Sequence, residues 1–196
     1  MLQIYFVGLK ILQEAMLPPV RGKDVTAAMV NKSIKPFVHM QINKISELNN
    51  KARELSLNSL INLFKTKAPD IRILIEAMME FPEQTTVDKM PWRILNARLE
   101  ILIKLLASIG YSKDWDWREI CDKLVFPCLS HTNIDVRSAA IDLVDNMAKI
   151  IGQDLKKEVV KLELKLQTQQ MLFPKLGIEL PQSPSKSGSP AKPHKA

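Results

Sequence analysis

Glycine is scarce in this chain, 6 residues in 196, and aromatic side chains make up only 6% of it. Strands draw on aromatic residues and hairpins on glycine turns, so the shortage argues against a sheet protein and for helices. No segment carries a convincing strand pattern. Also missing is an apolar run of about 18 residues, the length of a membrane span. The most apolar stretch, LQIYFVGLKILQEAML, is interrupted by Lys10, Gln13 and Glu14. It has no basic leader, so a signal peptide is not expected either.

Residues that carry chemistry are equally sparse. The three histidines, His39, His131 and His194, stand alone and read as surface or turn residues, and neither cysteine has a histidine at ligand spacing. Cys121 and Cys128 fall on one expected helix, about 10 Å apart along its axis at 1.5 Å per residue. That is too far for a disulfide, and the pair reads as buried thiols of a cytosolic protein. Glycine-rich phosphate loops are lacking. No catalytic residue, metal site or cofactor is expected, and the chain is not read as an enzyme.

What the chain does have is a core-forming balance, 46% hydrophobic and 25% charged, enough to bury a sizeable interior. The expected organisation is one elongated domain over residues 1–180 and a disordered, Ser/Pro-rich basic tail over 181–196. The tail sequence PQSPSKSGSPAKPHKA offers almost nothing to bury. Three lysines and no acid lie in it, which leaves +4 of the +7 net charge to residues 1–180. Ser183-Pro184 and Ser189-Pro190 are candidate proline-directed phosphosites.

The strongest organising signal is a helical stripe that recurs. In LVFPCLSHTNIDVRSAAIDLVDNMAKIIG (124–152) a helix end, a short turn and a second helix follow one another, with Val136, Ala140, Leu143, Met147 and Ile150 at steps of 4, 3, 4 and 3. Leu95, Leu99, Leu102, Leu106 and Ile109 repeat the stripe 41 residues upstream, and Gly110 ends that helix as Gly152 ends the later one. Arg53, Leu57, Leu60 and Phe64 repeat it again, and Ile4, Gly8, Ile11 and Ala15 offer a fourth copy. A period of about 40 residues is that of helical repeat arrays. Pro127, Asn133, Val136, Arg137, Ala139 and Ala140 give the hairpin its resemblance to the HEAT repeat.

The expected helices lie near residues 2–17, 24–46, 51–66, 70–81, 92–109, 115–130, 134–151 and 154–172, stacked as antiparallel pairs. Asp24 is placed to cap the second, with a bend or restart near Pro36, and Pro69-Asp70 opens the fourth. The last helix, with its stripe Leu155, Val159, Leu162 and Leu166, reads as a polar-faced cap on the array. The chain is expected to open on the second helix of a pair whose first helix is absent.

Stacked pairs line their intra-pair turns along one edge, which makes those turns the candidate binding site. They supply Asn49, Asn50 and Lys51, then Lys89, Trp92 and Arg93, then His131, Thr132 and Asn133. Plainer readings stand beside these: Trp92 as a core aromatic at a helix start, Asn49 and Asn133 as turn or cap residues, and the cations as solvated charges. Arg53 and Arg137 are expected to pair within the array.

The runs ILIKLLASIG (101–110) and DKLVFPCLSHTNIDVRSAAIDLVDNM (122–147), with LKILQEAM (9–16) and NKARELSLNSLINLF (50–64) upstream, are similar in pattern and spacing to the TOG domain. This is a tubulin-binding module made of HEAT repeats. The resemblance covers roughly residues 4–152. It implies an all-α fold, an α-solenoid of HEAT-like antiparallel helix pairs, and binding of the α/β-tubulin heterodimer or a microtubule end through the turns named above. It further implies a place in the cytoplasm and cytoskeleton, at the cilium tip, centriole or centrosome, with other ciliary or centrosomal proteins as further partners. TOG domains usually hold six repeats and a tryptophan in the first turn; here the start of the array is missing and Trp92 lies in a later turn. The competing reading is a general HEAT scaffold that holds a peptide or signalling protein. Nucleic acid ranks below both, for want of an arginine cluster with interleaved aromatics, and no membrane is implied.

Overall fold

The computed structural model describes residues 7, 8, 10, 11, 14, 27–66, 69–82, 85–112 and 114–180, with residues 27–30 given by their backbone alone. Regular structure among the described residues is entirely helical, without a strand. The chain is thus all-α over this span. The described residues among 7–14 are helical, and from residue 27 onward the helices are α1 (Ala27–Ile45), α2 (Asn50–Lys65), α3 (Ile71–Met79), α4 (Trp92–Ile109), α5 (117–129), α6 (Ile134–Ile151), α7 (Gln153–Lys161) and α8 (Leu166–Leu176).

Side chains at the helix ends set these boundaries. Asn49 caps α2 by accepting from the Ala52 N–H at 3.0 Å, and Asp70 caps α3 by accepting from the Arg72 N–H at 2.9 Å. Asp116 and Asn133 do the same for α5 and α6. At the other end, Gly110 (φ 82°) stops α4 and Gly152 (φ 76°) stops α6 in conformations open to glycine. Helix α8 closes on Gly177 (φ 66°), with Ile178 N–H bonded to Phe173 O at 2.9 Å and Gly177 N–H to Pro174 O at 3.1 Å. This is a Schellman motif.

Helix α5 has a wide turn in its middle. It is α-helical at Trp117–Ile120, π-helical at Cys121–Val125 and α-helical again at Phe126–Leu129. Two causes coincide there. Pro127 has no N–H to bond Lys123 O, and its ring presses on that carbonyl. The buried pairs Ile120-Cys121, Leu124-Val125 and Cys128-Leu129 also recur every four residues. At 3.6 residues per turn such a stripe drifts by about 40° each time, and one widened turn brings it back.

Helices α2, α4 and α6 pack side by side in that order; α1 lies on α2, α3 and α4, and α5 lies on α6. Helices α7 and α8 both rest on α6. The expected stripes supply the core between them: Leu57, Leu60 and Phe64 from α2; Leu95, Leu99, Leu102 and Leu106 from α4; Val136, Ala140, Leu143 and Met147 from α6. One cavity gathers the last residues of α2 and α4, Phe64 and Ile109, with the start of α3 and the link Tyr111–Trp115. Another gathers the ends of α1 and α3 with the start of α4. The described residues of links 66–70 and 110–116 therefore share one edge, and turn 46–49 and the described residues of 80–91 share the other. The short 3-10 turn Val87–Lys89 packs on the end of α5, which brings turn 130–133 to that second edge as well.

Several expectations change. The final helix is two helices, because the sequence from Lys161 to Leu166 alternates lysine or glutamate with leucine. A continuous helix would hold Leu164 about 200° round from Leu162 and turn it to water. Instead Leu162 is extended (ψ 134°), Leu164 is buried, and Leu166 is exposed. Helix α1 runs unbroken through Pro36, and the proposed cap Asp24 lies outside the described residues, as does the tail. Ile150, the last stripe position of α6, is exposed, and so are Gly8 and Ile11 of the fourth copy; its other two members lie outside the described residues. His131 is buried rather than superficial.

Candidate functional site

In the first turn, Asn49 is spent on the cap while Leu48, Asn50 and Lys51 are exposed. Leu48 holds the position before the cap, where an apolar residue normally packs on the fourth helical residue. That residue is Arg53, whose guanidinium is drawn to Glu100 on α4. Leu48 is left 75% exposed. Beside it Lys44 Nζ contacts Glu47 Oε1 at 2.6 Å.

Val87 and Met90 tack the second turn to the core, which leaves Asp88 and Lys89 facing outward. Helix α4 then opens on Trp92 and Arg93. Trp92 is 36% exposed, with the Arg93 guanidinium 5.0 Å from its ring centroid. Trp92 thus stands at the surface, with the Arg93 cation over its ring face.

The third turn is tied inward. The His131 ring is buried and accepts the Asn133 N–H on Nδ1 at 3.0 Å. Asn133 Oδ1 accepts from Asp135 N–H at 2.8 Å and Val136 N–H at 3.3 Å. Arg137 Nη1 donates to His131 O at 2.8 Å and Thr132 O at 2.7 Å. His131 and Asn133 are therefore occupied in building the turn; Thr132 remains exposed, followed by Ile134 at 56%.

The residues brought together outside are Asn50 and Lys51, then Lys89, Trp92 and Arg93, then Thr132, with Asn49, His131 and Asn133 holding the turns behind them. Sequence reasoning missed Leu48 and Ile134. Both flank a capping asparagine and fall off the buried stripe, so asking which apolar residues the stripe omits would have found them. Leu48, Trp92 and Ile134 stand near the starts of α2, α4 and α6, Leu48 one residue before the cap and the other two one residue after it. Charge on this edge is mixed: Lys44, Lys51, Lys89 and Arg93 stand among Glu47, Glu80, Asp88 and Asp135.

Among the described residues no group of three or more His, Cys, Asp or Glu side chains is placed to hold a metal ion, and no helix is long and apolar enough to cross a membrane. No family model and no curated protein matches the chain.

Proposed function

We propose that the chain is an α-solenoid of HEAT-like helix pairs of the TOG class, which binds the α/β-tubulin heterodimer through the edge formed by turns 46–49, 80–91 and 130–134. By that contact it regulates or localises to microtubule ends at cilia or centrioles. The observation that carries the reading is an exposed large apolar side chain beside the N-terminus of each of α2, α4 and α6, namely Leu48, Trp92 and Ile134. Single exposed apolar residues are ordinary, but a row of them at one edge is the signature of a surface that a partner covers. The cations beside them, Lys51, Lys89 and Arg93, suit local contacts with acidic groups of a partner. Binding by such an edge needs no chemistry, only rigidity, and the capped, hydrogen-bonded turns supply it.

The test is co-elution of the chain with purified tubulin on size exclusion, for the wild type and for a Leu48→Ser/Ile134→Ser pair. Co-elution of the wild type and its loss in the pair are the expected results. A wild type that runs apart from tubulin sinks the reading and leaves the general HEAT scaffold in its place.

A further inference from the structure

A groove of about 330 Å³ opens on the turn edge between the second half of α1, the end of α3 and the first turns of α4. Its apolar wall includes Ile42, Phe81 and Ile94, and its polar groups include His39, Asn43, Arg98 and Glu80, whose carboxylate is engaged by Lys35 and His39. Arg98 is the unusual member. Only 7% of it is exposed, yet its partners are neutral: Nη2 donates to Glu80 O at 2.8 Å, Nη1 donates to Met78 O, and the guanidinium lies 4.8 Å from the Phe81 ring centroid. Its enclosed Nε–H has no partner.

Among the described residues no carboxylate lies within ion-pair reach of that guanidinium. Glu80, the acid on the adjacent turn, has its oxygens turned to Lys35 Nζ at 3.1 Å and His39 Nε2 at 3.5 Å. Burial pushes the Arg98 pKa down, the response of a cation taken from water without full compensation. Caps on the end of α3 account for two of the five N–H groups. They do not account for a buried charge at the side of an apolar groove, where an anion is the missing complement.

We propose that this groove seats an acidic residue of a protein partner, with its carboxylate directed at Arg98 and an adjacent apolar side chain against Ile42, Phe81 and Ile94. The inference rests on the turn edge being the protein-binding surface, and it adds the sequence class recognised there: Asp or Glu next to Leu, Ile or Phe. Guanidinium presents a planar fork that fits a carboxylate in one orientation, so the groove contributes register as well as attraction. The groove volume is at the lower end of ligand pockets, about 300–1,000 Å³, which suits a pair of side chains rather than a folded element.

Random dodecapeptides displayed on phage would be selected on the intact chain and counter-selected on Asn43→Trp. That substitution puts an indole at an exposed residue of the groove mouth and takes nothing from the core. An acidic-apolar consensus is expected, and the synthetic consensus peptide should bind Asn43→Trp and Arg98→Gln at least tenfold more weakly, with the helical circular dichroism of Asn43→Trp unchanged. Absence of such a consensus, or equal binding of the peptide to Asn43→Trp, overturns the inference. Tubulin co-elution run alongside keeps the two readings apart: a chain that ignores tubulin but loses the peptide on Asn43→Trp retires the tubulin reading and supports the groove.

Discussion

Arg53, in the first turn of α2, directs both Nε and Nη2 at a single oxygen, Oε2, of Glu100 on α4, 47 residues away in sequence. Both side chains are about two-thirds shielded from solvent. The pair fixes how far α2 can slide along α4, and so holds the first turn level with the second.

A double-mutant cycle on Arg53→Met and Glu100→Gln, followed by urea unfolding, should therefore return a coupling of about 1 kcal/mol, at the top of the range of exposed pairs and short of a buried one. Additivity of the two single changes within about 0.3 kcal/mol would show the contact to be energetically idle.

Reversing charge on the turn edge tests the proposed binding surface without touching the fold. Lys51→Glu, Lys89→Glu and Arg93→Glu should each weaken tubulin binding about tenfold, ~1.4 kcal/mol, and leave melting unchanged. Lys65→Glu, at the opposite edge, should do much less. Raising salt should reproduce the loss. Equal losses from both edges would mean nonspecific attraction.

The two helix-ending glycines differ from the third. Gly110 and Gly152 pair positive φ with ψ of −176° and −135°, a region reached essentially by glycine alone, and nothing lies within 4 Å of an added Cβ. Any cost of substitution is thus backbone strain. Gly110→Asn and Gly152→Asn should each lower stability by about 1–3 kcal/mol. Gly177→Asn, at φ 66° and ψ 34°, should be nearly neutral, because asparagine tolerates the left-handed region. Thermal melts of the three variants decide the matter; equal losses would contradict the conformational argument.

Burial raises the thiol pKa of Cys121 and of Cys128 from 9.0 to about 12. A thiol held neutral in the fold stabilises it fully below the unfolded pKa, and that contribution is lost as pH rises from about 9 towards 12, where the unfolded chain releases protons that the folded chain keeps. Stability should accordingly fall through that window, and the fall should shrink in a Cys121→Ala/Cys128→Ala variant. At pH 8 both thiols should resist an aromatic disulfide reagent until denaturant is added. Rapid reaction of the native chain would show them to be accessible.

How much of this was legible in the sequence depends on the physics behind each feature. Helices α2, α4 and α6 were readable because buried leucines at 3.6-residue spacing leave few alternatives, and their caps because Asn49, Asp70 and Asn133 are residue types that accept N–H groups. The break after Lys161 was not, since Leu155, Val159, Leu162 and Leu166 also fit one helical stripe and only tertiary packing favours burying Leu164. Exposure was the hardest to foresee. Leu48 falls off the buried stripe, but that it stays uncovered rather than packing on Arg53 follows from Arg53 being drawn to Glu100. His131 carries no apolar signal of its own and is enclosed by the turn that Asn133 and Arg137 build around it.

The widened turn at Cys121–Val125 works as a phase adjuster. The turn absorbs one surplus residue, so removing one residue there would return α5 to a regular pitch and leave Cys128 and Leu129 on the core, in nearly the same rotational phase. Forcing the full-length helix to a regular pitch would instead rotate everything after it by about 100°, and the turn that presents Thr132 and Ile134 would leave the line of the other two. The widening beside Pro127 thus keeps the last pair in step with its neighbours. Single-residue deletions within Cys121–Val125 should be tolerated better than deletions elsewhere in this helix.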